Sequence, residues 1–168
     1  MILPPYPVDL TARLTANFTV AEVFHSDTAD MRGICNFPEA EEIFDLRVEA
    51  ATNLAVNVLQ RIRIELARAV NVSSWYRSDD VNRAVNGASG SQHLYAEAAD
   101  VWVVGLSAKE LFDWIRSVSA IQFDQVIVEK RVDARGGKHE WVHVSHSDIA
   151  QQRRLALTSP TSGVFIQV

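Results

Sequence analysis

The sequence predicts an α+β domain in which helices pack on a small antiparallel sheet. Three observations carry this. Helical periodicity dominates the first half of the chain. Short apolar runs joined by turn signals dominate the second half. Helices and strands do not alternate regularly, which argues against a doubly wound parallel sheet. The chain has 168 residues, enough for one core and too few to expect two. We divide it into an N-terminal arm, residues 1–18, and a single domain, residues 19–168.

The elements follow in order. The arm is Pro-rich and then polar. Thr19 and Glu22 have capping-box spacing and open a short helix. Residues 26–37 read as a loop containing Gly33 and Asn36. Pro38 suits a first helical turn, and Glu39, Glu41 and Glu42 favour the positive end of the dipole. A long helix is expected from there to about Ala69. Ala51, Leu54, Ala55, Val58, Leu59, Ile62 and Leu66 recur at spacings of three and four, forming one apolar stripe. Val70–Trp75 reads as a strand. Ser78, Asp79 and Asp80 cap a short helix ending near Gly87. Residues 87–97 form a loop of small residues, and Ala98–Val104 reads as a buried strand. Ser107 and Glu110 form a second capping box, opening a helix to about Val118. Phe123–Lys130 and Glu140–Ser145 read as strands joined at a turn marked by Arg135, Gly136 and Gly137. Arg154–Leu157 and Val164–Val168 read as two further short strands.

Composition excludes some functions. A net charge of −5 argues against a nucleic-acid partner. No run of about 18 apolar residues exists to span a membrane. Met1–Pro7 lacks a basic segment followed by an apolar one, so no signal peptide is expected and synthesis in the cytosol is. Cys35 is the only cysteine, which rules out an intrachain disulfide and a cysteine zinc site. It reads as a small hydrophobe.

Chemistry concentrates in two places. Ser91-Gln92-His93-Leu94-Tyr95-Ala96-Glu97-Ala98-Ala99-Asp100 holds a histidine and an aspartate seven positions apart. Glu140-Trp141-Val142-His143 holds a glutamate three positions before a histidine. A lone histidine is more often a satisfied polar residue than a ligand. Here, however, Asp100 and His143 both interrupt apolar strands, where an unpaired charge is costly. A metal held by His93, Asp100 and His143 would satisfy all three. Two imidazoles and a carboxylate are a usual set for a catalytic zinc with an open position, and a nearby glutamate is a usual base.

These segments resemble the zinc peptidases that include D-alanyl-D-alanine carboxypeptidases, D-Ala-D-Ala dipeptidases and phage L-alanyl-D-glutamate endolysins (a peptidase M15-like family). That family's pattern is Ser-x-His-x-x-Gly-x-Ala-x-Asp followed by a Trp-x-His strand. The chain matches it at Ser91, His93, Ala98, Asp100, Trp141 and His143. Ser74-Trp75-Tyr76-Arg77-Ser78 is similar to the family's Ser-Gly-Tyr-Arg-Ser segment, and Phe123–Glu129 is similar too. Asn17-Phe18-Thr19 and Glu22 resemble an N-terminal helix common in phage versions. The resemblance implies a fold like that of DD-peptidases and Hedgehog domains. It implies Zn2+ bound by His93, Asp100 and His143, with Glu140 as the base for the attacking water. Arg77 would be catalytic, binding a substrate carboxylate or the oxyanion, and Ser91 would touch substrate. The substrate would be a peptidoglycan stem peptide. The enzyme would be a metallopeptidase of phage lysis, reaching the wall after phage-mediated release, or would ride in the virion among its proteins.

Two departures stand out. Ala96 replaces the pattern's glycine, which is costly if φ is positive there. Trp75 replaces another glycine beside Arg77 and could narrow the cleft. Both motivate an alternative: an inactive virion or wall-binding module of the same fold. Strand geometry adds a tension. Positions 140 and 143 of a regular strand face opposite sides. His139 is therefore a rival ligand and Glu129 a rival base, while His25 and His146 read as surface or capping residues.

Overall fold

The computed structural model describes residues 1–132, 136–147, 152–161 and 164–168. The chain runs α1 (Val20–Phe24), α2 (Asp27–Arg32), α3 (Glu41–Leu54), a π-helical turn (Ala55–Leu59) and α4 (Gln60–Leu66). Then come β1 (Val70–Ser74), α5 (Asp79–Ala84), a 3-10 turn (Gln92–Tyr95), β2 (Ala98–Val103) and α6 (Ala108–Ser117). Four strands close it: β3 (Gln125–Val132), β4 (Lys138–Ser145), β5 (Leu155–Thr161) and β6 (Val164–Gln167). The fold is α+β, as the sequence predicts. No helix among the described residues is long and apolar enough to cross a membrane.

The caps behave as their chemistry requires. Glu22 reaches back to the Thr19 N–H at 2.9 Å. At α6 the Ser107 N–H donates to Glu110 at 2.8 Å, and the Glu110 N–H donates to the Ser107 hydroxyl at 3.2 Å. The loop expected over residues 26–37 instead contains α2. The Ser26 hydroxyl accepts the Ala29 N–H, and Gly33 closes the helix at φ +64°. Only Ala29 of this helix is buried, so no apolar period reveals it. The long helix starts at Glu41, later than Pro38, and stops at Leu66, where Ala67 turns left-handed at φ +50°.

The sheet is six-stranded, ordered β1-β2-β4-β3-β5-β6. It is mixed rather than purely antiparallel, because β5 pairs parallel with β3. Both edges of β4 are already taken, by β2 and β3. The returning chain is caught at the start of β3, where Arg153 clasps Asp124 and the Leu155 N–H donates to the Asp124 carbonyl at 2.8 Å. Starting beside the start of β3, β5 runs the same way. Of the expected β3–β4 turn, Arg135 lies outside the described residues, and Gly136 has φ +81°.

Alternation gives the sheet two distinct faces. Val101, Val103, Val126, Val128, Val142 and Val144 point into the core. There they meet Leu54, Ala55, Val58, Leu59 and Ile62 of the long helix, and Leu111 and Ile115 of α6. Each valine, leucine or isoleucine among them stabilises the fold by about 1.5–3 kcal/mol on full burial. The opposite face carries Asp100, His143, Ile127, Glu129 and Trp141, as the register Asp100↔His143, Ile127↔His143 and Glu129↔Trp141 requires. In the arm, Tyr6 packs on Phe44 and donates its hydroxyl to the Pro38 carbonyl at 2.7 Å.

Candidate metal centre

His93, Asp100 and His143 converge. His93 Nε2 lies 3.1 Å from His143 Nδ1 and 3.2 Å from Asp100 Oδ1, and His143 Nδ1 lies 3.2 Å from the same oxygen. All three residues are buried. The β2–β4 register places Asp100 directly opposite His143. His93 arrives from outside the sheet, on the 3-10 turn that Ser91 caps by accepting the His93 N–H at 3.4 Å.

Two chain segments are laced together to hold His93. The Arg77 N–H donates to the His93 carbonyl at 3.0 Å. The Trp75 carbonyl lies 2.6 Å from His93 Nδ1. A carbonyl can only accept, so Nδ1 carries the proton and Nε2 of the neutral ring presents a lone pair to the cluster. Burial pushes the His93 pKa below the usual histidine value, against the pull of Asp100, which keeps the ring neutral. Burial by itself would raise the Asp100 pKa. The Arg77 guanidinium and the polar groups of the cluster outweigh it and hold Asp100 well below the usual carboxylate range. The cluster is thus a lone pair, an anion and a second imidazole aimed at one point.

That donor set fits a metal ion. The three ligand atoms form a triangle with sides of 3.1–3.2 Å. Tetrahedral zinc with ligands at about 2.0–2.1 Å requires ligand–ligand edges of roughly 3.3 Å. Among the described residues, this is the one group of at least three His, Cys, Asp or Glu side chains close enough to hold an ion. His93 also has the outer hydrogen bond usual for a ligating histidine.

The remaining expected site residues fall elsewhere. Arg77 is at the cluster, donating from Nη2 to Asp100 Oδ2 at 2.5 Å and from Nε to the Ser74 hydroxyl at 2.9 Å. One carboxylate oxygen therefore faces the histidines and the other faces the guanidinium. Ser91 serves the turn as its cap. Glu140 is not brought to the cluster. It lies on the other side of β4 from His143, 39% exposed, and pairs with Lys130 at 2.9 Å. Glu129 shares the cluster's face and senses Asp100, His143 and Arg77 electrostatically. Burial, reinforced by the Asp100 charge, raises its pKa from the ordinary glutamate value. His139 lies exposed, two pairs further along β4 than Trp141. His25 is on the surface near Asp27. His146 is buried, contrary to the surface reading; its Nδ1 lies 3.0 Å from the Gln122 carbonyl.

Trp75 does not narrow the cleft. Its side chain is fully buried and packs edge-on against Phe18. Its indole N–H donates to the Ala96 carbonyl at 3.0 Å. Ala96 does adopt the left-handed conformation, at φ +59°. One positioning residue escaped sequence reasoning: buried Asn36. Its amide donates to the carbonyls of Phe24 and Tyr76 at 3.1 and 3.0 Å and accepts the Ser78 N–H at 2.9 Å. It thereby grips the chain on both sides of Arg77. The only local signal was an asparagine before Phe37-Pro38, which any turn would use.

Residues 16–145 match the model of a protein family described as Peptidase M15. The match includes every residue of the cluster. No curated protein matches the chain.

Proposed function

The chain belongs to the peptidase M15 family, and on that premise we propose that it is a zinc-dependent peptidase hydrolysing the peptide bonds of bacterial peptidoglycan. The observation that carries the proposal is the buried His93–Asp100–His143 triangle, in which the His93 Nε2 lone pair, the Asp100 carboxylate and the His143 imidazole converge at metal-ligand spacing. His93 Nε2, Asp100 Oδ1 and His143 Nδ1 would hold the ion. When bound, zinc would act as a Lewis acid, polarising the scissile carbonyl and acidifying the attacking water.

The chain's own groups supply the rest. Glu129 accepts the water's proton and passes it to the leaving amine. Its raised pKa brings it closer to the operating pH, where a general base works best. Glu140 lies on the other side of β4 from the cluster, where it pairs with Lys130. Arg77 orients Asp100 through Oδ2, so that Oδ1 faces the two imidazoles. The stem-peptide substrate and the setting, phage lysis or virion, follow the family resemblance. Of the two departures that motivate an inactive binding module, Trp75 packs into the core, whereas Ala96 does take the costly left-handed conformation.

The test is metal content of the purified chain together with mass spectrometry of fragments released from purified peptidoglycan. About one zinc per chain and a released stem-peptide fragment are expected. A chain that stays metal-free after zinc is added back would overturn the reading. So would a zinc-loaded chain that releases nothing from any peptidoglycan type.

A further inference from the structure

A second concavity lies beside the metal cluster and shares none of its residues. It has a volume of about 870 Å³, within the range of small-ligand sites. Its walls come from the loop after α2, the first turns of α3, the start of α5 and the 3-10 turn. Tyr76 and Ser78, which flank Arg77, line it, as do Leu94 and Tyr95, which follow His93.

The informative residue is Arg47. It is half-buried on the cavity wall, with its Cζ 5.1 Å from the centre of the Tyr95 ring. It has no carboxylate partner among the described residues. Its Nε is a buried donor without an acceptor. A buried N–H left without an acceptor is costly, and the planar guanidinium fork matches a carboxylate in two bonds. The other charges in the cavity narrow the choice of anion. Glu39, Asp79 and Asp80 line it too, against Arg47 and Arg83, and Arg83 is already engaged by Asp80. That excess of carboxylates repels a polyanion such as phosphate. It favours a single carboxylate accompanied by an ammonium group.

We infer that this cavity is a binding site for a zwitterionic dipeptide or short peptide. Arg47 takes its terminal carboxylate, the Tyr95 face packs on its body, and Asp79 and Glu39 attract its ammonium. The site is independent of the metal and of the hydrolytic reading.

The test uses the full chain and a dipeptide, Ala-Ala with its amide nitrogen methylated, so that turnover cannot consume it. Binding is followed by NMR at the Arg47 Nε–H and the Tyr95 ring, with zinc added and again with EDTA. The expected result is movement of both resonances under both conditions. Affinity should fall at least tenfold in Arg47→Gln, and at least tenfold for the C-terminal amide of the same dipeptide. Arg47→Lys should retain part of the affinity. Equal affinity for acid and amide, an unaffected Arg47→Gln, or binding that vanishes with EDTA would each overturn the site. Because the probe is read without zinc, failure here is separable from failure of the metallopeptidase reading.

Discussion

The indole N–H of Trp75 donates to the carbonyl of Ala96 across 3.0 Å. These are the two positions where the family resemblance leads one to expect glycine, and they are bonded to each other. The same tryptophan's carbonyl receives His93 Nδ1 at 2.6 Å. The residue that departs most from the pattern therefore holds both a metal-capable histidine and the strained turn that follows it.

Ala96 bears the left-handed strain itself, at φ +59°. An L-residue loses roughly 1–2 kcal/mol there, whereas glycine loses unfolded-state entropy. Ala96→Gly is expected to stabilise the chain by about 0.5–1 kcal/mol in urea unfolding. Destabilisation by this change would mean that the Ala96 methyl packs more strongly than the backbone strains.

Trp75→Phe keeps an aromatic ring in the core but removes the donor to Ala96. The combined loss of the hydrogen bond and of packed volume should cost about 2–3 kcal/mol. Zinc affinity should fall with it, because the segment holding His93 loosens. Unchanged stability and unchanged zinc binding would show that the indole bond holds nothing.

Glu129 and Glu140 separate cleanly by mutation. Glu129→Gln should lower kcat by about 10²–10⁴ while zinc content stays near one per chain. Glu140→Gln removes only an exposed pair with Lys130, worth about 0–1 kcal/mol, and should leave turnover within a few fold. The reverse pattern in steady-state kinetics would return the base role to Glu140.

Zinc should raise the unfolding temperature, since it binds the folded cluster alone. At a hundred times its Kd the gain is about 2.7 kcal/mol. The gain should shrink on acidification, as protons compete for the ligands. Burial lowers the His93 pKa, which carries part of the effect to more acidic pH. A pH-independent zinc shift in calorimetry would exclude histidine ligation.

Asp124 fastens β5 to β3 by accepting from Arg153, both at its backbone N–H and at its guanidinium. Burial raises its pKa, but the Arg153 bonds together prevail and lower it. Its folded pKa thus lies below the unfolded value of about 3.9. The stability it contributes is complete above that pH and is lost as pH falls through the folded pKa. Asp124→Asn should cost about 2–3 kcal/mol at neutral pH and flatten the acid limb of the stability curve below about pH 4. An unchanged acid limb would show that other carboxylates govern it.

Period and spacing determined much of this protein by themselves. The stripe from Ala51 to Leu66 required a helix, and both Ser/Thr-x-x-Glu boxes opened helices. The polar interruptions Asp100 and His143 marked buried positions that needed partners. These are local rules of sterics and solvation, written within a few residues of chain. Tertiary structure alone decided the rest. Helix α2 buries one residue, so no pattern announced it. The parallel pairing of β5 depends on the open edge of β3 and on Arg153 and Leu155 meeting Asp124 where β3 starts. The side of the sheet on which Glu140 and Glu129 fall depended on β4 staying regular through His143, which spacing to a histidine cannot reveal. Trp75 could have entered the cleft or the core, and only the presence of Phe18 and the Ala96 carbonyl on the inner side drew it inward. In each case the deciding contact joins residues distant in sequence, and its energy exists only once the chain has folded.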